Sequence, residues 1–454
     1  MIAEAAPWWK FWVNRRADFR IDAAEGSNNI RRNVGTRIRS LDRQLTRQKR
    51  QRLQASSRYI HDNFAIVAWA VRRHLDYVSS FSFKPKTGDD GLDRSLAGLM
   101  EWYGRPLNCD AAGRHPLRRI IRTVECRRVI DGDVGLLKLQ DGRLQGIEAD
   151  RVRTPDGVSD PAAWAHGVLV GRGGRASRYA VHKRTDHGYE HERTIRAGNM
   201  FWAGYYTHFD QVRGVSPLTQ AITSFQDIYE GFDKALAKIK IAEGLALVTY
   251  RETGDDRDID FTGGPVHLDL DEADKAEILE SKTPPPESVD FLQLMTSVAI
   301  KALDLPFSMF DESFTNFFGS RAALLHYEKA AKHKRADLRE LLDQITVWRL
   351  SKFVADGDLR LPRGSGVGDL RWEWIHDGTP WWDPSKDIRA DLMAINGGLK
   401  TRSQVVKERF GGEWRDTIDE LSAEESYMEA KGVPIVRGTT WQPVTESEGE
   451  DGDE

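Results

Sequence analysis

Gln211-Val212-Arg213-Gly214-Val215-Ser216-Pro217, followed by LTQAITSFQDIYEGFDKALAKIKIAEG over 218–244, is the stretch whose reading decides the fold. Ser216 supplies a hydroxyl suited to an N-cap, and Pro217 stands at a first helical position, where a missing N–H costs nothing. Apolar residues then fall at Leu218, Ile222, Phe225, Tyr229, Phe232, Leu236 and Ile239. The steps alternate between four and three, a period of about 3.5, which is the pattern of a helix packed lengthwise against its neighbours. Gly244 fits the position just past a helix end. At ~1.5 Å per residue, a helix over 217–243 would be about 40 Å long. Lys234 and Lys238 each lie two residues past a seam position and therefore point to the opposite face.

Outward from this helix the pattern changes on both sides. Upstream, from about Val129 to Trp202, short β-prone pieces (Gly135–Leu139, Gly167–Val170, Tyr179–His182, Arg193–Arg196, Met200–Trp202) alternate with Gly/Asp turns and predict a small mixed or antiparallel sheet. Before that, Leu41, Leu45, Leu53 and the run from Tyr59 to Val78 have helical spacing. Downstream, Leu245 to Pro286 reads as a β-like stretch rich in acids and turn residues. A shorter helix over about Ser288–Leu303 follows and is stopped by Pro306. Phe307–Gly319 reads as a loop with exposed aromatics, and Ser320 as the cap of a long helix reaching about Val354. A strand-like Leu370–Ile375 and three short helices, near 384–396, 403–410 and 414–430, complete an α+β order.

Size and composition bound the function. The chain has 454 residues, enough for two or more domains, with 40% hydrophobic and 30% charged residues. The longest apolar run, Phe64–Val71, is far short of the ~20 residues of a membrane span, and Met1–Ala6 carries no basic leader. Only Cys109 and Cys126 are present, which excludes a disulfide framework or a four-cysteine zinc site. The net charge of −4 hides segregation: ten basic residues against Asp42 alone between Asn28 and Arg58, and six acids with no base from Glu446 to Glu454. The basic stretch suits phosphate or an acidic partner, or a solvated helix face.

The enzyme-like motifs of the sequence do not support a catalytic site. His187-Gly188-Tyr189-Glu190-His191 matches H-x-x-E-H, the zinc-hydrolase alternative, but that mechanism needs both histidines one turn apart on a helix, and Gly188 with β-like flanks predicts a polar hairpin. Gly171-Arg172-Gly173-Gly174-Arg175-Ala176 fits G-x-G-x-x-A, yet a strand follows it, so no helix N-terminus would hold a pyrophosphate. No G-x-x-x-x-G-K-[ST] and no G-x-S-x-G occurs. The reading is of a protein that is not an enzyme and needs no cofactor or metal.

Several strings in order carry a resemblance. They are Arg58 with Asp62-Asn63 before an apolar helix; Cys109-Asp110-Ala111 with Arg127–Asp133 and Gln145–Arg151; Gln211–Pro217; Leu305-Pro306 through Asn316 with Ser320-Arg321-Ala322; and Asp383-Pro384-Ser385-Lys386 with Gly397–Arg402. Together they resemble the portal proteins of tailed bacteriophages, in particular the lambda-like branch. Phe317-Phe318-Gly319 departs from the more polar run expected after Asn316.

The resemblance implies a portal-type fold and a homo-oligomeric ring, typically of twelve subunits, at one vertex of the virion head, assembled in the host cytoplasm. Such a ring passes double-stranded DNA without sequence specificity, docks the terminase packaging motor, and contacts the major capsid protein and a head-completion or tail-connector protein; no membrane is involved. It assigns 1–215 and 320–379 to a wing, 216–244 and 288–310 to two stem helices, 245–287 to a clip, 311–319 to a channel loop, 380–440 to a crown, and 441–454 to an acidic disordered tail. The seam of Leu218, Ile222, Phe225, Tyr229, Phe232, Leu236 and Ile239 becomes a candidate subunit interface, with packing against its own chain an equal account. Lys234, Lys238, Phe314, Thr315, Asn316, Phe317 and Phe318 are candidates to face the channel. Solvated lysines and aromatics packed under the wing are the alternatives. Asp269, Asp271, Glu272 and Asp274 are candidates for docking the motor. Another ring or adaptor protein of a virion is the second reading.

Overall fold

The architecture is that of a computed structural model, which describes residues 40–244, 247–250, 275–278, 286–310, 317–378 and 383–433. The chain divides into two compact units, the first formed by Met1–Ser80 with Thr87–Arg371 and the second by Phe81–Lys86 with Trp372–Glu454.

In the first unit, α1 (Arg47–Asn63) and α2 (Ala65–Val78) are separated at Phe64, whose extended backbone (φ −107°, ψ 111°) breaks the helix. The strand β1 (Phe81–Pro85) leaves for the second unit, and α3 (Asp90–Tyr103) begins on Asp89, whose carboxylate accepts from the N–H groups of Gly91 and Leu92. The helix α4 (Leu117–Asp131) ends on Gly132 at φ +94°, a conformation that favours glycine. Two antiparallel sheets follow. One has the order β3-β2-β8, from β2 (Asp133–Lys138), β3 (Leu144–Glu148) and β8 (Met200–Gly204). The other runs β4-β5-β6-β7, from β4 (Trp164–Ala165), β5 (Val168–Val170), β6 (Ala176–Thr185) and β7 (Gly188–Arg196). Leu137, Ile147, Val152, Val168, Tyr179, Val181, Ile195 and Met200 from both sheets meet in one apolar core.

A 3-10 turn over Pro217–Gln220 leads into α5 (Ile222–Gly244). The regular helix thus starts five residues later than Pro217 predicts, because Pro217 sits in a capped turn that precedes it. Beyond α5, β9 (Leu247–Tyr250) and β10 (Lys275–Ile278) pair antiparallel, Leu247 opposite Ile278. Then α6 (Pro286–Ala299) runs into a 3-10 turn over Ile300–Leu303. The long helix α7 (Phe317–Asp356) packs along α2 and β8. It opens at Phe317, not at Ser320. Phe317 and Phe318, read as loop residues, are its first two, since a glycine in the first turn, at Gly319, does not interrupt a helix that runs on to Asp356.

In the second unit, β1 pairs antiparallel with β11 (Trp372–His376), from Phe81 opposite His376 to Pro85 opposite Trp372. Three helices follow: α8 (Pro384–Asn396), α9 (Arg402–Phe410) and α10 (Trp414–Ala430). Asp383 and Thr401 cap the first two, Thr401 with Gln404 in a reciprocal capping box. Glu373 on β11 accepts from Lys86 and Lys407, both at 2.7 Å, and ties this unit together.

Candidate functional site

The string Gln211–Pro217 is a clamp that fixes where α5 leaves the sheets. Arg213 is wholly buried and donates Nε to Asp133 Oδ2 at 2.7 Å and Nη2 to Asp133 Oδ1 at 2.9 Å. It also donates to the carbonyls of Val152 (3.0 Å) and Ala149 (2.9 Å). Burial works against its charge, and the Asp133 carboxylate more than compensates, so its pKa is raised. Arg50 from α1 reaches the same carboxylate at 3.2 Å and the carbonyl of Gly214 at 2.9 Å. A Cβ at Gly214 would lie 2.1 Å from the carbonyl oxygen of Gly132, so only glycine fits there. The Gln211 amide donates to the carbonyls of Arg213 (2.8 Å) and Tyr205 (3.3 Å). Ser216 Oγ donates to the Val129 carbonyl at 2.6 Å and accepts from Leu218 N–H at 3.1 Å. The string therefore joins α1, α4 and both sheets to the root of α5.

The seam changes character along the helix. Leu218, Ile222 and Phe225 are each 1% exposed, and Tyr229 stacks on Phe64 with ring centroids 3.8 Å apart. Phe232 and Leu236 are 43% and 51% exposed. Lys238 and Ile239 belong to α5, but their side chains lie outside the described ones. Lys234 is exposed and pairs with Glu230 at 3.6 Å. A Cβ on Gly231 would stand 2.9 Å from Leu292 Cδ2, so the glycine lets α6 approach α5 closely. Away from that contact, Phe291, Leu294 and Val298 of α6 are each close to 60% exposed and share one face by their three- and four-residue spacing.

The far end of α6 is anchored. Asp304 has a left-handed backbone (φ +63°), and Lys334 of α7 donates to the Leu303 carbonyl at 3.1 Å and to Asp304 Oδ2 at 2.7 Å. Further along, α7 joins a buried polar cluster. Glu125 accepts from Tyr205 at 2.5 Å and Arg128 at 2.9 Å and bonds His74 Nε2 at 2.8 Å, while Arg128 also reaches Asp337 of α7 at 2.9 Å. Burial opposes the Glu125 charge, yet Arg128 and His74 hold its pKa down at about 2. Burial lowers the His74 pKa despite the neighbouring carboxylate.

Of the remaining candidates, Phe314, Thr315, Asn316, Asp269, Asp271, Glu272 and Asp274 lie outside the described residues. His187 sits at the tip of the β6–β7 hairpin, with Glu190 and His191 on β7. The two histidines are thus not one turn apart on a helix. Among the described residues no cluster of His, Cys, Asp and Glu could hold a metal ion, and no helix is long and apolar enough to cross a membrane. Arg213 and Asp133 were missed as a pair by sequence reasoning, although the rarity of a fully buried arginine makes such a residue informative once burial is known.

Comparison with solved structures gives likenesses to chains from gene transfer agent particles. The neck of a native particle, computed with C12 symmetry, matches at 12% identity and a TM-score of 0.47, covering 78% of this chain and 93% of that one. The neck of an empty particle, computed with C6 symmetry, matches at 11% identity and a TM-score of 0.48, covering 77% and 92%. No curated protein matches the chain. The family model of phage portal proteins of the lambda family matches residues 28–335. The chain belongs to the lambda family of phage portal proteins.

Proposed function

We propose that twelve copies of this portal subunit close into a ring around a channel for double-stranded DNA, with α5 and α6 as its stem. The observation that carries this reading is the exposed apolar face of Phe291, Leu294 and Val298 on α6, together with the exposed Phe232 and Leu236 on α5. Exposed apolar side chains gathered on one helix face mark a contact surface. A closed ring needs a heterologous contact, in which one face of a subunit meets a different face of the next. The α6 stripe against the exposed half of the neighbour's α5 seam satisfies that need, while the buried half of the seam anchors the helix in its own subunit.

The same reading assigns the wing to 1–215 and 320–379, the clip to 245–287, the channel loop to 311–319 and the crown to 380–440. The clip, with Asp269, Asp271, Glu272 and Asp274, would dock the terminase motor. The wing and crown would contact the major capsid protein and the head-completion or tail-connector protein. The subunit acts as a conduit and performs no catalysis. With a net charge of −4 it neutralises few phosphates, which suits DNA that must slide.

Negative-stain microscopy with native mass measurement tests the ring. Closed rings with a central hole and a mass near twelve 51.5 kDa subunits are expected. Phe291→Asp with Leu294→Asp should yield folded, unassembled subunits. Rings that survive this double substitution would place the contact elsewhere.

A further inference from the structure

The family match ends at residue 335, short of α8, α9 and α10. Within that region α10 poses a physical problem. It is a 17-residue helix with no buried residue. It meets α9, and its Asp416 pairs with Lys84, yet most of a helix's stability in a protein comes from covering an apolar face. Trp414, Ile418, Leu421, Glu425 and Met428 fall at alternating steps of four and three, the spacing of a helix laid along another. Ile418 and Leu421, at the centre of this seam, are 44% and 48% exposed.

Charge restricts what can cover the seam. Asp416, Asp419, Glu420, Glu424, Glu425 and Glu429 lie on α10 with Arg415 as its one base. Two copies of α10 seam to seam would crowd like charges together. The helix α8 has the complementary character. Asp387 and Asp391 are buried on its inner side, where Asp391 accepts from Arg409 at 2.9 Å. Its outer side carries Ile388, Leu392 and Met393, 38%, 46% and 63% exposed, with Arg389 alongside and Lys386, which pairs with Asp383 at 3.3 Å. Both apolar faces are exposed within one chain, so they do not cover each other in it.

We propose that the acidic, apolar face of α10 in one subunit packs on the basic, apolar face of α8 in the next, forming a second belt of contacts around the ring. The proposal rests on the ring reading above, which brings equivalent units of successive copies side by side. Opposite charges flanking an apolar contact fix its partner and direction more than they add to its strength. The contact is heterologous and repeats from copy to copy, as ring closure requires.

The test uses full-length chain with Cys126→Ser, carrying Leu392→Cys, Leu421→Cys or both. Cys109 is buried with its thiol pKa pushed up to about 12, so it stays unreactive. Assembled protein is treated with a short bismaleimide cross-linker and run on a denaturing gel, with the same sample imaged in negative stain. The double variant should give a ladder of covalent oligomers, and each single variant only monomer. Intact rings with monomer alone in the double variant would overturn the belt and leave the ring standing. So would covalent dimers from Leu421→Cys alone, which report α10 against α10. An absence of rings in every variant and in the parent would instead remove the reading on which the belt depends.

Discussion

Arg213 and Asp133, both wholly buried, meet through two parallel hydrogen bonds at 2.7 and 2.9 Å. Their pairing holds the start of α5 against the end of α4 and the first strand of the sheet. Removing one partner of such a pair leaves an uncompensated charge inside the protein and costs about 3–5 kcal/mol. Arg213→Met should therefore lower the thermal midpoint of the first unit by many degrees. Arg213→Lys should recover only part of the loss, because an ammonium cannot present the planar fork. A melting curve for Arg213→Met superimposable on that of the parent would refute this role.

Gly231 faces Leu292 across the α5–α6 contact. Alanine gains about 1 kcal/mol of helix propensity over glycine. Its methyl must displace the tip of Leu292, which a side-chain rotation can absorb. Gly231→Ala is expected to be near neutral by itself and stabilising by about 1 kcal/mol in a Leu292→Ala background. Gly231→Leu should separate the helices and destabilise the chain by about 1–3 kcal/mol through overpacking. Denaturant unfolding of the four variants measures the cycle. Equal effects of Gly231→Ala in both backgrounds would show that the helices do not press on each other there.

The Glu125 cluster sets an acid limit on stability. Its carboxyl titrates near 2 in the folded chain against an ordinary 4.5, so its stabilising contribution is complete above 4.5 and is lost as pH falls toward 2. His74 adds to this from higher pH. Its folded pKa lies below the ordinary 6.5, so the unfolded chain takes up a proton that the folded chain refuses as pH falls below 6.5. Melting temperature should decline from pH 7 downward and more steeply below 4.5. In Glu125→Gln the steeper part should shrink, at the cost of lower stability at neutral pH. An unchanged slope in this variant would rule out the cluster as its source.

Asp304 occupies a left-handed backbone at the turn that closes α6. Glycine adopts this conformation without the penalty of about 1 kcal/mol that a side chain incurs. The ion pair with Lys334 has a half-exposed carboxylate, and such pairs contribute about 0–1 kcal/mol. Asp304→Gly should be neutral to mildly stabilising, and Asp304→Val destabilising by more than about 1 kcal/mol. Chemical denaturation distinguishes them. Equal stabilities of the glycine and valine variants would contradict the strain argument.

Lys234 and Lys238 are proposed to touch DNA weakly from the stem. Replacing both with Glu should leave ring assembly intact while reducing packaged DNA or its retention, read as genome-filled particles per ring-containing particle. Normal filling and retention would assign these lysines no role in the channel.

Much of the helical order was legible because it rests on local chemistry. Asp383 and Thr401 mark helix starts by their own side chains, and the Gly/Asp turns delimit the strands of both sheets. The exact start of α7 was not, because Ser320 is an ordinary cap residue and Phe317-Phe318-Gly319 is compatible with either loop or first turn. No element was expected at α3 or the early part of α4, although Leu96, Met100 and Tyr103 repeat at helical spacing. The strand pair of Phe81–Pro85 with Trp372–His376 lay beyond local pattern altogether, since nothing in either segment names its distant partner. For the site, the 3.5 period located the seam, but not the point near Tyr229 where it passes from the interior to the surface. That point depends on Phe64, more than a hundred residues earlier in the chain.

The pairing of β1 with β11 also orders events during synthesis. Phe81 and Phe83 leave the ribosome long before Trp372 and Trp374 exist, so the strand waits without a partner while most of the first unit forms. Only a chain translated past His376 can shelter those aromatic rings. A subunit terminated before Trp372 would display that strand as an unmated apolar edge, open to pairing with another chain.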